Sequence, residues 1–295
     1  MNSVLLDKDL DIKEFAKTTA QIIIEGMILE VISHPSPGLV SPFSNGSHRD
    51  MDYNTFLKST AALSKYMSEF VSIGYNYNEG LLQRIREVGI LAEKDMFKAT
   101  NGINTQKGIL FLSALIGVAA GRCRRLGTTL DRYNLSNIIK ETTKGIVERE
   151  LKSAYSKKDL TNGERLYIKY GVEGIRGEVE NGLPTVIKYG LPEFEGALKS
   201  GLNINDSLIN ALIVIISKTD DTTILNRKGI AGLYFAKSMA KNAIYLGLMK
   251  SKIGRNYIEF MGKMFINKNI SPGGSADLVA ATYIIYKLEK LGECI

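Results

Sequence analysis

Short polar stretches that contain glycine carry the side chains that could do chemistry in this sequence. One of them, ATNGINTQKG at 99–108, places Lys107 where a helical pattern begins. Unpaired amides at a helix start and the helix dipole both favour negative charge, so a lysine there could bind a phosphate. A plain turn between two helices, with Lys107 in solvent, explains the same residues, and the stretch alone leaves both interpretations open.

Adjacent carboxylates follow a very apolar segment. Asp220 and Asp221 come shortly after 207–216, which is typical of a buried helix. Because adjacent like charges repel, they favour a cation, and a Mg²⁺ ion held through one or two carboxylates and substrate phosphates would fit. Solvated charge at a helix end explains the pair equally well.

Both histidines fall in one loop, 34–52, together with three prolines and two carboxylates. Long loops inside compact domains are usually functional or disordered, and the stiffening prolines argue against disorder. Asp50 and Asp52 precede a helical pattern, where one carboxylate would cap exposed amides. Capping explains two carboxylates beside His48 less naturally, which makes this loop a candidate part of a site.

Two glycine-containing stretches remain. The GxxGxxG spacing in 170–182 is neither the P-loop nor the dinucleotide fingerprint, and Arg176 and Glu178 within it either face a ligand or join a glycine-broken helix pair. The stretch SPGGSAD at 271–277 precedes another helical pattern. Its glycines leave the helix start exposed, as a phosphate or a metal-bound carboxylate requires, whereas a plain helix cap would need only Ser275.

Composition excludes several classes of protein. The net charge of +7 suits an anionic partner. The basic residues are spread along the sequence without a run of five or more, so nucleic acid is not indicated. Cys123 and Cys294 lie far apart without a CxxC motif, which predicts a reducing compartment and no structural zinc. The apolar stretch 109–121 is shorter than the roughly 20 residues of a membrane span, and no signal peptide is evident. A cytoplasmic protein is therefore expected.

The elements that must position these stretches are helical. Apolar residues recur at helical spacing over 11–32, 53–67 and 79–98, and the alternation typical of strands is almost absent. The segment 109–126 is rich in alanine and glycine, which predicts a helix packed closely on its neighbours. With 44% apolar residues and no internal repeat or linker, the chain is expected to form one all-α domain over 1–295, whose polar loops converge on one cleft.

Seven of these stretches, in their order along the chain, resemble the triphosphoribosyl-dephospho-coenzyme A synthases. They are 30–31 with 35–40, then 46–51, 89–100, 102–108, 176–182, 220–222 with Arg227, and 271–278. Any one of them would be weak, but seven in the right order are specific. The resemblance spans nearly the whole chain.

The resemblance implies an all-helical pentosyltransferase that joins ATP to 3′-dephospho-CoA. The 2′-hydroxyl of dephospho-CoA would attack the ribose anomeric carbon of ATP and expel adenine. The product would be 2′-(5-triphosphoribosyl)-3′-dephospho-CoA, the precursor of the citrate lyase or malonate decarboxylase prosthetic group. This chemistry needs a base, cations for the triphosphate and stabilisation of an oxocarbenium-like ribose. ATP and dephospho-CoA are the expected partners, without nucleic acid or membrane, and the chain could form a homo-oligomer.

The same resemblance gives individual residues expected roles. The expected phosphate-binding residues are Asn104, Thr105, Lys107, Arg176, Arg227, Gly273, Gly274 and Ser275. The expected Mg²⁺ ligands are Asp220, Asp221 and Asp277. The expected catalytic residues are His48, Asp50, Glu93 and Glu178. Asp50 or Glu178 would act as the base, with His48 orienting or protonating. Replacing Asp221 with asparagine is expected to abolish Mg²⁺-dependent adenine release with little loss of stability.

The chain also departs from the family pattern. The usual PKPGLVD reads PSPGLVS here, with Ser36 and Ser41, and the usual NTHKG reads NTQKG. Gln106 can hydrogen-bond but cannot shuttle a proton at neutral pH. Two alternatives therefore stay open: a diverged Mg²⁺-dependent nucleotide-processing enzyme with another acceptor, and a non-catalytic ATP-binding accessory protein.

Overall fold

The computed structural model describes residues 2–293 and folds them into thirteen α-helices, with no β-strand among these residues. Cys294 lies outside the described residues. The helices are α1 Asn2–Ile32, α2 Tyr53–Asn76, α3 Leu81–Ala99, α4 Lys107–Leu126, α5 Arg132–Thr143, α6 Ile146–Glu150, α7 Asn162–Tyr170, α8 Gly174–Glu180, α9 Leu191–Lys199, α10 Ile204–Lys218, α11 Thr222–Tyr245, α12 Lys252–Lys268 and α13 Gly273–Gly292. The predicted all-α class is confirmed.

Helix α4 lies at the centre of the molecule and packs closely against α2, as its composition predicted. A Cβ atom on Gly74 would lie 1.9 Å from the carbonyl oxygen of Val118, and one on Gly121 would lie 2.0 Å from that of Val71. Only glycine permits such an approach of two backbones. The contact fixes α2 and α4 as a rigid pair, and the amino terminus of α4 projects from it.

Helices α1 and α13 also approach each other closely, and their contact sets the register between them. A Cβ atom on Gly26 would meet the side chain of Ile284 at 2.5 Å and the carbonyl oxygen of Ala280 at 3.3 Å. The end of α1 lies beside the start of α13, so one helical turn further along α1 corresponds to one turn back along α13. Glu30 is thereby brought to the level of Asp277.

Local signals account for how the elements begin. Asp52 caps α2 and forms a reciprocal capping box with Thr55, so capping explains one carboxylate of the loop 34–52 and leaves Asp50 unassigned. The side chains of α2 that point inward join a buried cluster that extends from Phe15 to Leu288.

Within residues 2–293, no helix has the length and apolar character needed to cross a membrane.

Candidate active site

A cleft of about 1010 Å³ is formed where the polar stretches meet. Residues of α1, α3, α4, α6, α7, α8, α11 and α13 line it, together with the loop 39–51. All residues predicted for the site line this cleft except Ser275, whose side chain turns to Asp221. Ligand pockets usually measure about 300–1,000 Å³, so this cleft has room for large substrates.

Four helices of eight residues or more begin in the wall of the cleft. Their first residues, which all line it, are Lys107 of α4, Asn162 of α7, Thr222 of α11 and Gly273 of α13. The helix dipole places partial positive charge at that end of each helix. Side chains cap some of the first-turn amides, and they are Asn104, Thr161, Asp221 and Asp277. The cleft is therefore suited to strongly anionic ligands.

The stretch 99–108 forms the turn that starts α4. Asn104 Oδ1 accepts a hydrogen bond from the amide of Lys107 at 3.3 Å, and Thr105 Oγ1 donates to Ser59 Oγ at 2.8 Å. Lys107 Nζ lies 2.6 Å from Glu93 Oε1. This ion pair places both predicted residues in the cleft, and Glu93 holds the lysine at the helix start.

Asp277 and Glu30 form a carboxylate pair in the cleft. Asp277 accepts a hydrogen bond from the amide of Ile109, and a Cβ atom on Gly108 would lie 2.0 Å from its Oδ2. Burial, followed by the neighbouring carboxylates of Glu30 and Asp221, raises the pKa of Asp277 well above its usual value. Burial also raises the pKa of Glu30 to about 7. Glu30 was not predicted as a site residue, although its stretch was part of the resemblance.

Asp221 holds two helix starts together. Its Oδ1 accepts from the amides of Thr223 and Ile224 in α11, and its Oδ2 accepts from the amide and hydroxyl of Ser275 in α13. These four bonds occupy the lone-pair sites of a carboxylate, so none is left for a cation. Asp221 and Ser275 thus have a structural role, which differs from the metal-binding and phosphate-binding roles predicted for them.

Asp220 is also engaged elsewhere. Its side chain is half-exposed and forms an ion pair with Lys237 of α11. Among residues 2–293, no group of three or more His, Cys, Asp or Glu side chains is arranged to hold a metal ion. A Mg²⁺ ion in the cleft would therefore need substrate phosphates as ligands, as Mg²⁺ commonly does.

His48 is neutral at pH 7. Burial, with Arg227 beside it as the next cause, lowers the pKa of His48 to about 4. Arg227 Nη2 lies 3.1 Å from Nδ1, which must accept, so Nε2 carries the proton and donates to Ser271 Oγ at 2.9 Å. Of the two predicted roles, this arrangement fits orientation and does not fit protonation of the leaving group by a preformed imidazolium.

This pKa makes the stability of the protein depend on pH through His48. Folding favours the neutral imidazole, so its contribution is complete above pH 6.5 and is lost as the pH falls through about 4. We expect the wild type to lose about 2 kcal/mol more unfolding free energy than His48→Gln between pH 7 and pH 4, allowing for solvent screening. Urea unfolding at both pH values measures this, and equal losses would contradict it.

Arg176 joins a second basic cluster. Its Nε donates to Glu150 Oε2 at 2.6 Å, and Arg86 of α3 forms an ion pair with the same carboxylate. Neither Arg86 nor Glu150 was predicted from the sequence, because single charged residues on charged helices carry no local signal. Glu178 lines the cleft, and its two oxygens accept from the amide and hydroxyl of Thr185, which fixes the carboxylate in place. Burial raises its pKa.

Comparison with known proteins identifies the family. The profile of CitG, ATP:dephospho-CoA triphosphoribosyl transferase, matches residues 16–294. The chain belongs to this family. A Vibrio cholerae protein named "Probable 2-(5''-triphosphoribosyl)-3'-dephosphocoenzyme-A synthase" is 36% identical over 279 residues, which cover 93% of this chain and 89% of the relative. A Malonomonas rubra protein of the same name is 38% identical over 275 residues, covering 91% and 87%. A Pectobacterium atrosepticum protein, named as the synthase without qualification, is 34% identical over 270 residues, covering 90% and 87%.

Gln106 is the glutamine of the NTQKG sequence in the stretch 99–108, where the usual family pattern has histidine. It is buried at the start of α4. The hydroxyl of Thr60 donates to its Oε1 at 3.1 Å, while its Nε2 has no hydrogen-bond partner within residues 2–293. If the amide were flipped, Nε2 would face Thr60 and Oε1 would lack a partner instead. The side chain lines the cleft in either case. A buried amide without a partner is costly, so a substrate atom is its natural partner.

Replacing Gln106 with leucine tests that contact. We expect kcat/KM for adenine release to fall about 10- to 100-fold, since a lost hydrogen bond to a buried group costs about 1–3 kcal/mol. Gln106→His should retain most activity because histidine keeps a donor. Thr60→Val serves as the control, because it removes only the protein partner of the amide. Wild-type kcat/KM in the leucine variant would rule the contact out.

Proposed function

We propose that this protein forms 2′-(5-triphosphoribosyl)-3′-dephospho-CoA from ATP and 3′-dephospho-CoA, drawing on the cytoplasmic pool of ATP. The 2′-hydroxyl oxygen of dephospho-CoA bonds to C1′ of the ATP ribose as the C1′–N9 bond breaks. Adenine leaves with the electron pair and takes a proton at N9, and the hydroxyl loses its proton to a base. The product is the precursor of a citrate lyase type prosthetic group.

One observation carries this proposal: a single cleft contains four helix amino termini and four basic side chains on different elements. Arg86 and Arg176 share Glu150, whereas Lys107 pairs with Glu93 and Arg227 lies beside His48. The reaction brings together two anions, a triphosphate and a diphosphate ester, and basic side chains spread over the cleft suit both of them.

Proton transfer falls to the predicted catalytic carboxylates that keep a free oxygen. Glu93 uses Oε1 for Lys107, and among the described residues no donor bonds its Oε2. Asp50 lies 3.9 Å from His48 Nδ1 and is mostly exposed. Each has an oxygen without a donor, whereas both oxygens of Glu178 accept from Thr185, so Glu93 and Asp50 are our candidate bases. Comparing the pH profiles of Glu93→Gln and Asp50→Asn separates them.

The donor set of the cleft fits Mg²⁺ at the carboxylate pair. Among the described residues, no hydrogen-bond donor reaches Glu30, and the Ile109 amide is the only one on Asp277, so both carboxylates retain lone pairs. Mg²⁺ prefers hard oxygen ligands such as these two carboxylates, and substrate phosphates would fill its remaining coordination positions. When bound, Mg²⁺ would neutralise triphosphate charge. We therefore place it on Glu30 and Asp277 rather than on Asp220 and Asp221.

The proposed reaction is tested by incubating the protein with ATP, Mg²⁺ and 3′-dephospho-CoA. Free adenine should appear in equal amount with a product whose mass equals the sum of the substrates minus adenine. Adenine release with a different acceptor would support a diverged enzyme. No adenine with any acceptor, together with stabilisation of the fold by ATP, would support a binding protein instead.

A further inference from the structure

A cluster of arginines lines the part of the cleft formed by α3, α6 and α8. Arg86 and Arg176 share the carboxylate of Glu150. Burial, followed by the charges of Arg149 and Arg176, lowers the pKa of Arg86, and Glu164 is a second carboxylate near enough to act on Arg176. These three guanidinium groups and two carboxylates leave an excess of positive charge. Two of them, Arg86 and Arg176, line the cleft. We call these two the arginine cluster.

Glu150 leaves the outer edge of Arg176 available to a ligand. It occupies Nε at 2.6 Å, while Nη1 lies over Gly163, where a Cβ atom would approach it to 3.0 Å. Gly163 is in the first turn of α7 and also lines the cleft. A guanidinium edge beside helix amides matches the oxygens of a phosphate or diphosphate.

Apolar side chains of α3, α6, α7 and α8 line the same part of the cleft. They are Ile85, Ile90, Ile146, Leu166 and Ile175. Ile90 is 67% exposed and Ile175 is partly exposed, so these two can contact a ligand, whereas the other three are buried. A ligand with a diphosphate and a largely uncharged, flexible chain would satisfy both the charge and the apolar surface.

We propose that the arginine cluster binds the diphosphate of the acceptor, dephospho-CoA, and that the apolar side chains beside it contact the pantetheine arm. The inference rests on the proposed function and assigns its second substrate. The triphosphate of ATP would then bind elsewhere in the cleft. Its partners would be Mg²⁺ on the carboxylate pair, Arg227, and the amino termini of α4 and α13. Arg86 and Glu93 both line the cleft from α3, seven residues or about 10 Å apart. This spacing brings the acceptor ribose from the arginine cluster to a candidate base.

Binding measured without turnover tests the subsite. Calorimetric titration of the full chain with dephospho-CoA, and separately with ATP and Mg²⁺, gives both dissociation constants. In Arg86→Gln and Arg176→Gln, we expect the constant for dephospho-CoA to rise about tenfold or more, since hydrogen bonds to charged groups contribute about 1.5–3 kcal/mol. The constant for ATP should change less than about twofold. Arg227→Gln should show the opposite selectivity.

Controls separate a lost subsite from a lost fold. Lys241→Gln removes one exposed positive charge of α11 and should change neither constant. Arg86→Lys should recover part of the affinity that Arg86→Gln loses, while thermal unfolding confirms that each variant is folded. Equal weakening of ATP and dephospho-CoA, or no weakening of either, would overturn the assignment.

The same measurements distinguish this inference from the proposed function. A wild type that releases no adenine, but whose arginine variants selectively lose dephospho-CoA, would refute the reaction and retain the subsite. A wild type that releases adenine, with an unchanged KM for dephospho-CoA in both arginine variants, would retain the reaction and refute the subsite.

Discussion

Replacing Asp277 with asparagine is expected to lower kcat for adenine release about 10²- to 10³-fold while the protein stays folded. The carboxylate lines the cleft near Glu30, and we have proposed that the two hold the cation that neutralises triphosphate charge. Such a cation supplies several kcal/mol of transition-state stabilisation, and each 1.4 kcal/mol is about tenfold in rate. Steady-state kinetics over a Mg²⁺ titration measures the loss.

The same replacement should stabilise the protein in the absence of Mg²⁺. Burial and repulsion by Glu30 disfavour the charged form of Asp277, so a neutral amide should raise the unfolding free energy by about 1 kcal/mol. The thermal shift that Mg²⁺ produces with ATP should disappear. Glu30→Gln should act in the same direction, whereas Asp220→Asn, half-exposed and paired with Lys237, should not.

Two results would contradict the role of Asp277. Wild-type kcat and Mg²⁺ dependence in Asp277→Asn would remove it from the site altogether. Loss of turnover with an intact Mg²⁺ shift would place it in proton transfer and not in metal binding. Gly108→Ala provides a further check, because its Cβ atom would displace Asp277 Oδ2 from the start of α4.

Replacing Asp221 with alanine is expected to lower the unfolding free energy by at least about 3 kcal/mol, because four donors at two helix starts lose their acceptor in a buried place. Asp221→Asn keeps an acceptor for α11 but turns a donor towards Ser275, so it should also destabilise. Urea unfolding measures both. The expectation from the sequence, of little loss of stability in Asp221→Asn, is thereby reversed.

Asp52→Ala is the matched control for this effect. Asp52 is also a helix cap, but it serves α2 alone and is more exposed, so its loss should lower the unfolding free energy much less than that of Asp221. If Asp221→Ala costs no more than Asp52→Ala, then Asp221 does not join α11 to α13. Near-wild-type stability together with lost Mg²⁺ dependence would return Asp221 to the predicted metal site.

Much of this fold could be predicted from the sequence because its signals are local. Apolar spacing marks a helix within a few turns, and the small residues of α4 predicted the close contact that Gly121 makes with Val71. The polar breaks between helices carried the motifs, since chemistry and anion binding concentrate where backbone amides are unpaired. The residue types of those polar stretches, and their order along the chain, indicated the family and many of the residues that line the cleft.

The sequence by itself determined the helical class, the family and many of the polar residues in the cleft. It did not determine what each carboxylate does, and it missed Glu30, Arg86 and Glu150. Asp221 and Ser275 are 54 positions apart, and Glu30 meets Asp277 only because α1 packs on α13. A carboxylate becomes a structural acceptor when packing surrounds it with amide donors, and it stays available to a cation or proton when packing does not. Those surroundings come from elements distant in sequence, so only the tertiary structure decided them.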